Sequence, residues 1–323
     1  MKDEKGISVV LATHYRPKLL RKTLKAVLAQ DYPKDLFEAI VVGFNGDKSI
    51  GRVEKDFGEK GIKFFRIDST FVDKKRNFGA KKARFEIIAF TDDDCIPEKR
   101  WLKAISECFK KDSKVVGVEG LTWNDNKKLY CHAPENLTGE RYLACNYAFK
   151  KNAFALVKGF DEQYHMNYRE DTDLAFKMLA KGMKLVFCKK AKVYHPPLRQ
   201  SLTIPFRDLR LVRNDVLLYK KFPKLFRERF GFVCRGFFKL SAAAWAAAFF
   251  ALASIYFWNA FLPFFSLAGI IGLKFFVEKK GKKASVWEWS LFIAFSYTKD
   301  LLFPFYFLHY WVSVKPKEER RVK

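Results

Sequence analysis

The chain has 323 residues with 61 Lys and Arg against 35 Asp and Glu, a formal charge of +26. This allows one large domain or two ordinary ones, and a surface suited to nucleic acid, an anionic membrane or a polyanionic substrate. Its six cysteines (Cys95, Cys108, Cys131, Cys145, Cys188 and Cys234) form no CxxC pair and no Cys/His group at zinc spacing, which excludes a zinc module and reads as reduced thiols.

The start, MKDEKGISVVLATHYRP, has an apolar run too short for a signal peptide, so the first domain is expected to be cytosolic. Up to about Lys239, short β-branched runs at Ile7 to Leu11, Ala39 to Val42, Lys63 to Ile67, Ile87 to Phe90 and Val115 to Val118 alternate with helical stretches such as Pro17 to Gln30 and Lys74 to Phe85. That alternation predicts an α/β domain whose sheet is mainly parallel. The basic stretch KKRNFGAKKAR is either a solvated helix face or, through Arg76, Asn77 and Gly79, a place where a diphosphate meets a helix N-terminus.

The next motif is FTDDDCIP. Ile87 to Phe90 reads as a buried parallel strand, and Asp92, Asp93 and Asp94 follow its carboxyl end, where open α/β sheets bind ligands. On an extended chain Asp92 and Asp94 point to one side, and two carboxylates so placed suit Mg2+ or Mn2+. The plainer alternative is a polar loop capping the helix near Pro97 to Phe109. Cys95 is left without a role. In NYREDTDLAFKMLAKG, Glu170 and Asp171 are expected in a loop just before a helix, with Asp173 in its first turn; they either favour the helix dipole or include a general base. His195 follows a short strand at Lys184 to Cys188, as a satisfied histidine or a metal ligand.

Near Leu240 the pattern changes. Leu240 to Leu273 is 34 residues without a charge, too long for one helix at ~1.5 Å per residue across a hydrocarbon core of ~30 Å. A hairpin of two spans turning near Asn259 and Pro263, with both basic flanks in the cytoplasm, fits better; a buried helix pair is the alternative. Val286 to Val314 is interrupted by Glu288, Lys299 and Asp300, and its Trp and Tyr residues predict an interfacial segment. The expected domains are residues 1–230, a membrane hairpin at 231–277, and a basic loop, aromatic segment and basic tail at 278–323.

The order of motifs over Ile7 to Pro197 resembles the family 2 glycosyltransferases of GT-A fold. The matching pieces are ISVVLATHYRP, LKAVLAQDYP, FEAIVV, RNFGAKKARFEIIAFTDDDCIPEKRWL, NYAFKKNAFALVKGFDE, REDTDLAFKMLAKGMKLVF and VYHPP. The resemblance implies a nucleotide-sugar donor and a divalent cation, Mg2+ or Mn2+, with Asp94 as the leading metal ligand and Asp92 and Asp93 beside ribose and phosphate. It also implies that His195 approaches the metal or diphosphate, that Thr13, Tyr15 and Arg16 line the nucleotide pocket, and that Asp171, paired with Glu170, is the base. One departure stands at the end of the second strand, VVGFNGDKS: Gly43 and Phe44 replace the family's acidic residues, so Asn45 or Asp47 is the expected substitute.

These readings converge on a metal-dependent, inverting glycosyltransferase at the cytoplasmic membrane face, with a lipid-linked or glycan acceptor, contact with an anionic membrane surface and no nucleic-acid partner. The competing classes are a basic nucleic-acid-binding protein or two-metal nuclease, and an inactive scaffold that keeps the fold.

Overall fold

The computed structural model describes residues 4–164, 166–233, 235–256 and 282–317. Two compact units are formed, one by residues 1–125 and 133–197 and the other by 126–132 and 198–323.

The first unit holds an eight-stranded mixed sheet among the described residues, in the order β3 (Lys63–Ile67), β2 (Phe37–Phe44), β1 (Ile7–Ala12), β4 (Ile87–Phe90), β8 (Tyr147–Lys150), β6 (Val115–Trp123), β9 (Lys184–Tyr194), β5 (Ile96–Pro97). β1 pairs in parallel with both β2 and β4, while β8 runs antiparallel to β4. The chain therefore winds outward from β1 to β3 and returns to β4 on the other side of β1. That reversal opens a crevice at the carboxyl ends of β1 and β4, where an open α/β sheet binds its ligands.

Local chemistry explains the helices that flank this crevice. In α1 (Pro17–Leu28), Pro17 opens the helix, and Leu20, Thr23, Leu24 and Val27 recur at helical spacing and are buried. α3 (Val72–Lys82) is polar along most of its length and still lies close to the sheet, because Gly79 faces it. A Cβ at Gly79 would come within 2.5 Å of Val10 Cγ1 and 3.2 Å of Val42 Cγ2. Gly79 thus serves helix-to-sheet packing. Gly79→Val is expected to lower stability by about 1–3 kcal/mol through overpacking, read as a lower melting midpoint.

The second acidic helix, α6 (Glu170–Leu179), begins earlier than expected. Arg169 adopts a left-handed conformation (φ 74°) that breaks the chain before it, so Glu170 and Asp171 belong to the first turn rather than to the loop. The predicted short strand before His195 is the first part of β9, which runs on to Tyr194 past an irregularity at which the consecutive β6 residues Gly120 and Leu121 pair with Cys188 and Lys192 of β9.

In the second unit, β7 (Cys131–His132) pairs with β10 (Leu198–Arg199), and α7 (Ile204–Lys221), α8 (Pro223–Phe230) and α9 (Arg235–Tyr256) precede a C-terminal helix, Val286–Ser313. The boundary expected near residue 230 falls inside this unit. The C-terminal helix is continuous through all three of its interrupting charges. Glu288 closes a capping box with Ser285 at the first turn, and Lys299 and Asp300 lie 3.5 Å apart as a pair. Its 28 residues are enough, by length and composition, to cross a membrane. The turn and second half of the expected hairpin, at 257–273, lie outside the described residues.

Candidate active site

Thr13 and the three aspartates meet across the crevice between β1 and β4. The Thr13 hydroxyl donates to Asp93 Oδ2 at 2.7 Å, and Arg16 Nη1 donates to Asp93 Oδ1 at 3.2 Å and to Asp94 Oδ2 at 2.7 Å. The chain does not stay extended after β4: the Cys95 amide donates back to the Asp92 carbonyl at 3.2 Å, closing a turn. The alternation expected for an extended chain is therefore lost. Asp93 and Asp94 share Arg16, while Asp92 turns to Arg76, whose Nη2 lies 2.6 Å from Asp92 Oδ1.

Arg76 connects this cluster to the second one. Its Nη1 lies 3.5 Å from Glu170 Oε1 and 3.7 Å from Asp73 Oδ1, its plane is over the Phe160 ring, and its side chain is buried. A single guanidinium thus spans carboxylates from three segments, a geometry for which a fork of fixed donors is suited. Asp73 went unnoticed in the sequence, although an acid three residues before an arginine in an otherwise basic helix was the available signal. Burial is the main influence pushing Asp73 up to about 8 and Glu170 well above the carboxylate range, with neighbouring acids adding to it and Arg76 opposing. For Asp92 burial again raises the carboxyl, but Arg76, joined by His195 and Arg16, holds it below its ordinary value.

Asp171 is positioned by backbone. Its Oδ1 accepts from the Thr172 amide at 2.7 Å and its Oδ2 from the Ala144 amide at 3.3 Å. The loop that delivers Ala144 is organised by Glu119, a buried carboxylate accepting from the Asn136 side chain at 2.8 Å, from the Glu140 amide at 2.6 Å and from the Tyr142 amide. Burial raises the Asp171 carboxyl above its ordinary value against these hydrogen bonds and Arg76, which leaves it a stronger base than an exposed aspartate.

The remaining expected residues divide. Tyr15 has a left-handed backbone (φ 52°), and its amide donates to Asp47 Oδ2 at 2.6 Å. Ser49 donates to Asp47 Oδ1 through its amide at 2.9 Å and its hydroxyl at 2.5 Å. Burial opposes ionisation of Asp47, but these donors hold it below the usual carboxylate range. Oδ2 of Asp47 therefore shapes the Tyr15 turn, while Oδ1 caps Asp47's own loop through Ser49. Lys75, another residue missed in the sequence, is buried and donates to the Thr13 carbonyl at 2.8 Å. Asn45 donates to Asp68 Oδ1 at 3.0 Å in an exposed pair. Asn77 holds the 160–162 segment instead: it accepts from the Phe160 amide at 2.9 Å and donates to the Phe160 carbonyl at 2.9 Å.

His195 joins the first cluster. Its amide donates to the Trp123 carbonyl at 2.9 Å, and its Nε2 lies 3.6 Å from Asp94 Oδ1. Asp94, Cys95 and His195 each offer a donor atom within 4.8 Å of the others, a spacing that one divalent ion at roughly 2.0–2.6 Å from each ligand can satisfy. The donor set therefore fits a cation.

Asp93 gives this site a pH signature. Burial pushes its carboxyl up to about 6 against the pull of Arg16 and Thr13. Between about pH 4 and 6 the unfolded chain releases this proton while the folded one keeps it, so stability falls as pH rises, by up to about 3 kcal/mol. Melting of wild type and Asp93→Asn across that range is expected to show the wild type losing ground to the variant as pH rises.

Residues 8–170 match the family described as Glycosyl transferase family 2. The chain belongs to that family. It is a glycosyltransferase, and its nucleic-acid-binding and nuclease alternatives give way to this membership. Among family 2 relatives it is similar to the glucosyl-dolichyl phosphate glucuronosyltransferase of Haloferax volcanii, 23% identical over 219 residues, which are 58% of this chain and 68% of that protein. It spans only 33% and 26% of the length of two other curated relatives, the Haloferax volcanii glycosyltransferase AglE and the Pasteurella multocida chondroitin synthase. The fold is GT-A, shared with the mannosyltransferase PcManGT from Pyrobaculum calidifontis, solved in complex with GDP-Man and Mn2+. That structure has a TM-score of 0.64 at 17% identity, covering 94% of this chain and 88% of that one.

Proposed function

We propose that this family 2 glycosyltransferase moves a sugar from a nucleotide-diphosphate donor to a hydroxyl of a lipid-linked or glycan acceptor, with inversion and with a divalent cation, Mg2+ or Mn2+. The observation that carries the reading is Arg76, which ties Asp92, after β4, to Glu170, at the opening of α6. Donor-side and acceptor-side groups are thereby held in one buried network. Asp94 and His195 hold the cation. When bound, it supplies charge neutralisation on the departing diphosphate. Thr13, Arg16 and Asp93 form the wall for ribose and phosphate, and Asp47 contributes by fixing the turn that presents Tyr15. Asp171 Oδ2 takes the proton of the acceptor hydroxyl as that oxygen attacks the anomeric carbon from the face opposite the diphosphate, and the sugar inverts. Burial pushes Glu170 well above the carboxylate range and Asp171 less far, so Asp171 is the member of the pair that ionises more readily.

The Haloferax volcanii relative named for a dolichyl phosphate glycan supports a lipid-linked acceptor, and the PcManGT complex supports Mn2+. Exposed Trp287, Phe305, Leu308 and Val312 on the C-terminal helix support attachment of the protein to a membrane, and the formal charge of +26 suits an anionic face, which we place on the cytoplasmic side. A thermal-shift panel of UDP-, GDP- and dTDP-sugars with and without Mn2+ tests the donor reading. One nucleotide class is expected to raise the melting midpoint, and to do so only with the cation. No shift with any donor would count against it.

A further inference from the structure

We infer that Cys95 is a sulfur ligand of the cation that Asp94 and His195 hold, so that of the two cations proposed above this centre takes Mn2+, and with it softer ions such as Co2+ or Zn2+, in preference to Mg2+. The inference rests on the reading of Asp94 and His195 as cation ligands and adds a third residue to it. The two oxygens of Asp94 face different partners. Oδ2 is engaged by Arg16 at 2.7 Å, whereas Oδ1 faces both Cys95 Sγ at 3.6 Å and His195 Nε2 at 3.6 Å. A cation is therefore placed on the Oδ1 side, inside the triangle of carboxylate oxygen, imidazole nitrogen and sulfur whose corners all lie within 4.8 Å of one another.

Backbone geometry sets this triangle. β5 pairs antiparallel with β9, Ile96 opposite Tyr194 and Pro97 opposite Val193. Continued by one step, the same register sets Cys95 opposite His195. The turn closed by the Cys95 amide on the Asp92 carbonyl brings Asp94 onto the same ligand face. Three donor types thus converge from two strand ends, and Cys95 and His195 are fully or nearly fully buried. On binding, the Cys95 S–H proton leaves to solvent and the sulfur lone pair enters the metal–sulfur bond. A thiolate in the set favours softer cations over Mg2+, which prefers all-oxygen ligands.

The test is a Co2+ titration of the full chain followed by absorbance. Wild type is expected to show visible ligand-field bands together with a near-ultraviolet thiolate-to-cobalt charge-transfer band. Cys95→Ser and Cys95→Ala are expected to keep the ligand-field bands and lose the charge-transfer band, and Cys145→Ser to keep both. The ratio of Zn2+ to Mg2+ affinity is expected to fall at least about tenfold in Cys95→Ser, the scale on which even outer partners of metal ligands act. Ligand-field bands without charge transfer in the wild type would overturn the sulfur assignment while leaving the cation site standing. Unchanged Co2+ binding in Asp94→Ala and His195→Ala would instead overturn the site itself. The wild-type spectrum is decisive even if a Cys95 variant fails to fold.

Discussion

Asp171→Asn is expected to lower the rate of glycosyl transfer by about 100- to 10,000-fold, the range attributed to a positioned general base, while leaving donor affinity unchanged. The substitution keeps an oxygen to accept from the Thr172 amide, which lies 2.7 Å from Asp171 Oδ1, so the first turn of α6 retains its capping contact. What it removes is the proton acceptor. Because burial raises the Asp171 carboxyl, the acid limb of the wild-type pH–rate profile should lie above the usual aspartate range, with activity lost as pH falls through it. Single-turnover kinetics with donor binding measured in parallel separates the two effects. Full transfer by Asp171→Asn, or loss of donor binding with it, would assign the base elsewhere.

Arg76→Met is expected to be the most damaging single substitution in the site, costing about 3–5 kcal/mol, as when one partner of a buried ion network is removed. Asp73, Asp92 and Glu170 all border this guanidinium, which is buried with its side chain 5% exposed. Asp92 depends on it most, since Arg76 is the largest of the influences, ahead of His195 and Arg16, that hold that carboxyl low against burial. In the wild type this contribution is present above the ordinary aspartate range and fades as pH falls through the lowered value. The stability gap between wild type and variant should therefore narrow in acid, where Asp92 no longer needs a counter-charge. Arg76→Lys should recover only part of the loss, because one ammonium cannot bond Asp92 and Glu170 in two directions at once. Melting midpoints of the three proteins at neutral and acid pH provide the measurement, and a gap independent of pH would rule out this electrostatic account.

Strand positions were legible because apolar runs such as Ile87 to Phe90 are buried on both faces of the sheet, where hydrophobicity alone marks the element. The aspartates after that strand were legible for the same reason, since a charge cluster abutting a buried run has few places to go. Asp73 and Lys75 were not legible. Both sit in a basic helical stretch whose composition suggests a solvated face, and their burial depends on Gly79 letting α3 approach β1. Asn77, expected at a diphosphate from its place beside Arg76, also has its side-chain amide held by Phe160, a partner distant in sequence that no local pattern records.

By itself, the sequence determined the α/β class, the strand after which the carboxylates emerge, the second acidic pair and the family, because each depends on local periodicity or on contiguous motifs. Tertiary structure alone decided how those carboxylates are shared. Asp93 and Asp94 went to Arg16, Asp92 joined Glu170 through Arg76, and the Cys95 sulfur came to lie beside Asp94 and His195. These pairings depend on strand order, register and one close helix approach, and such contacts join residues too far apart along the chain for any local pattern to record.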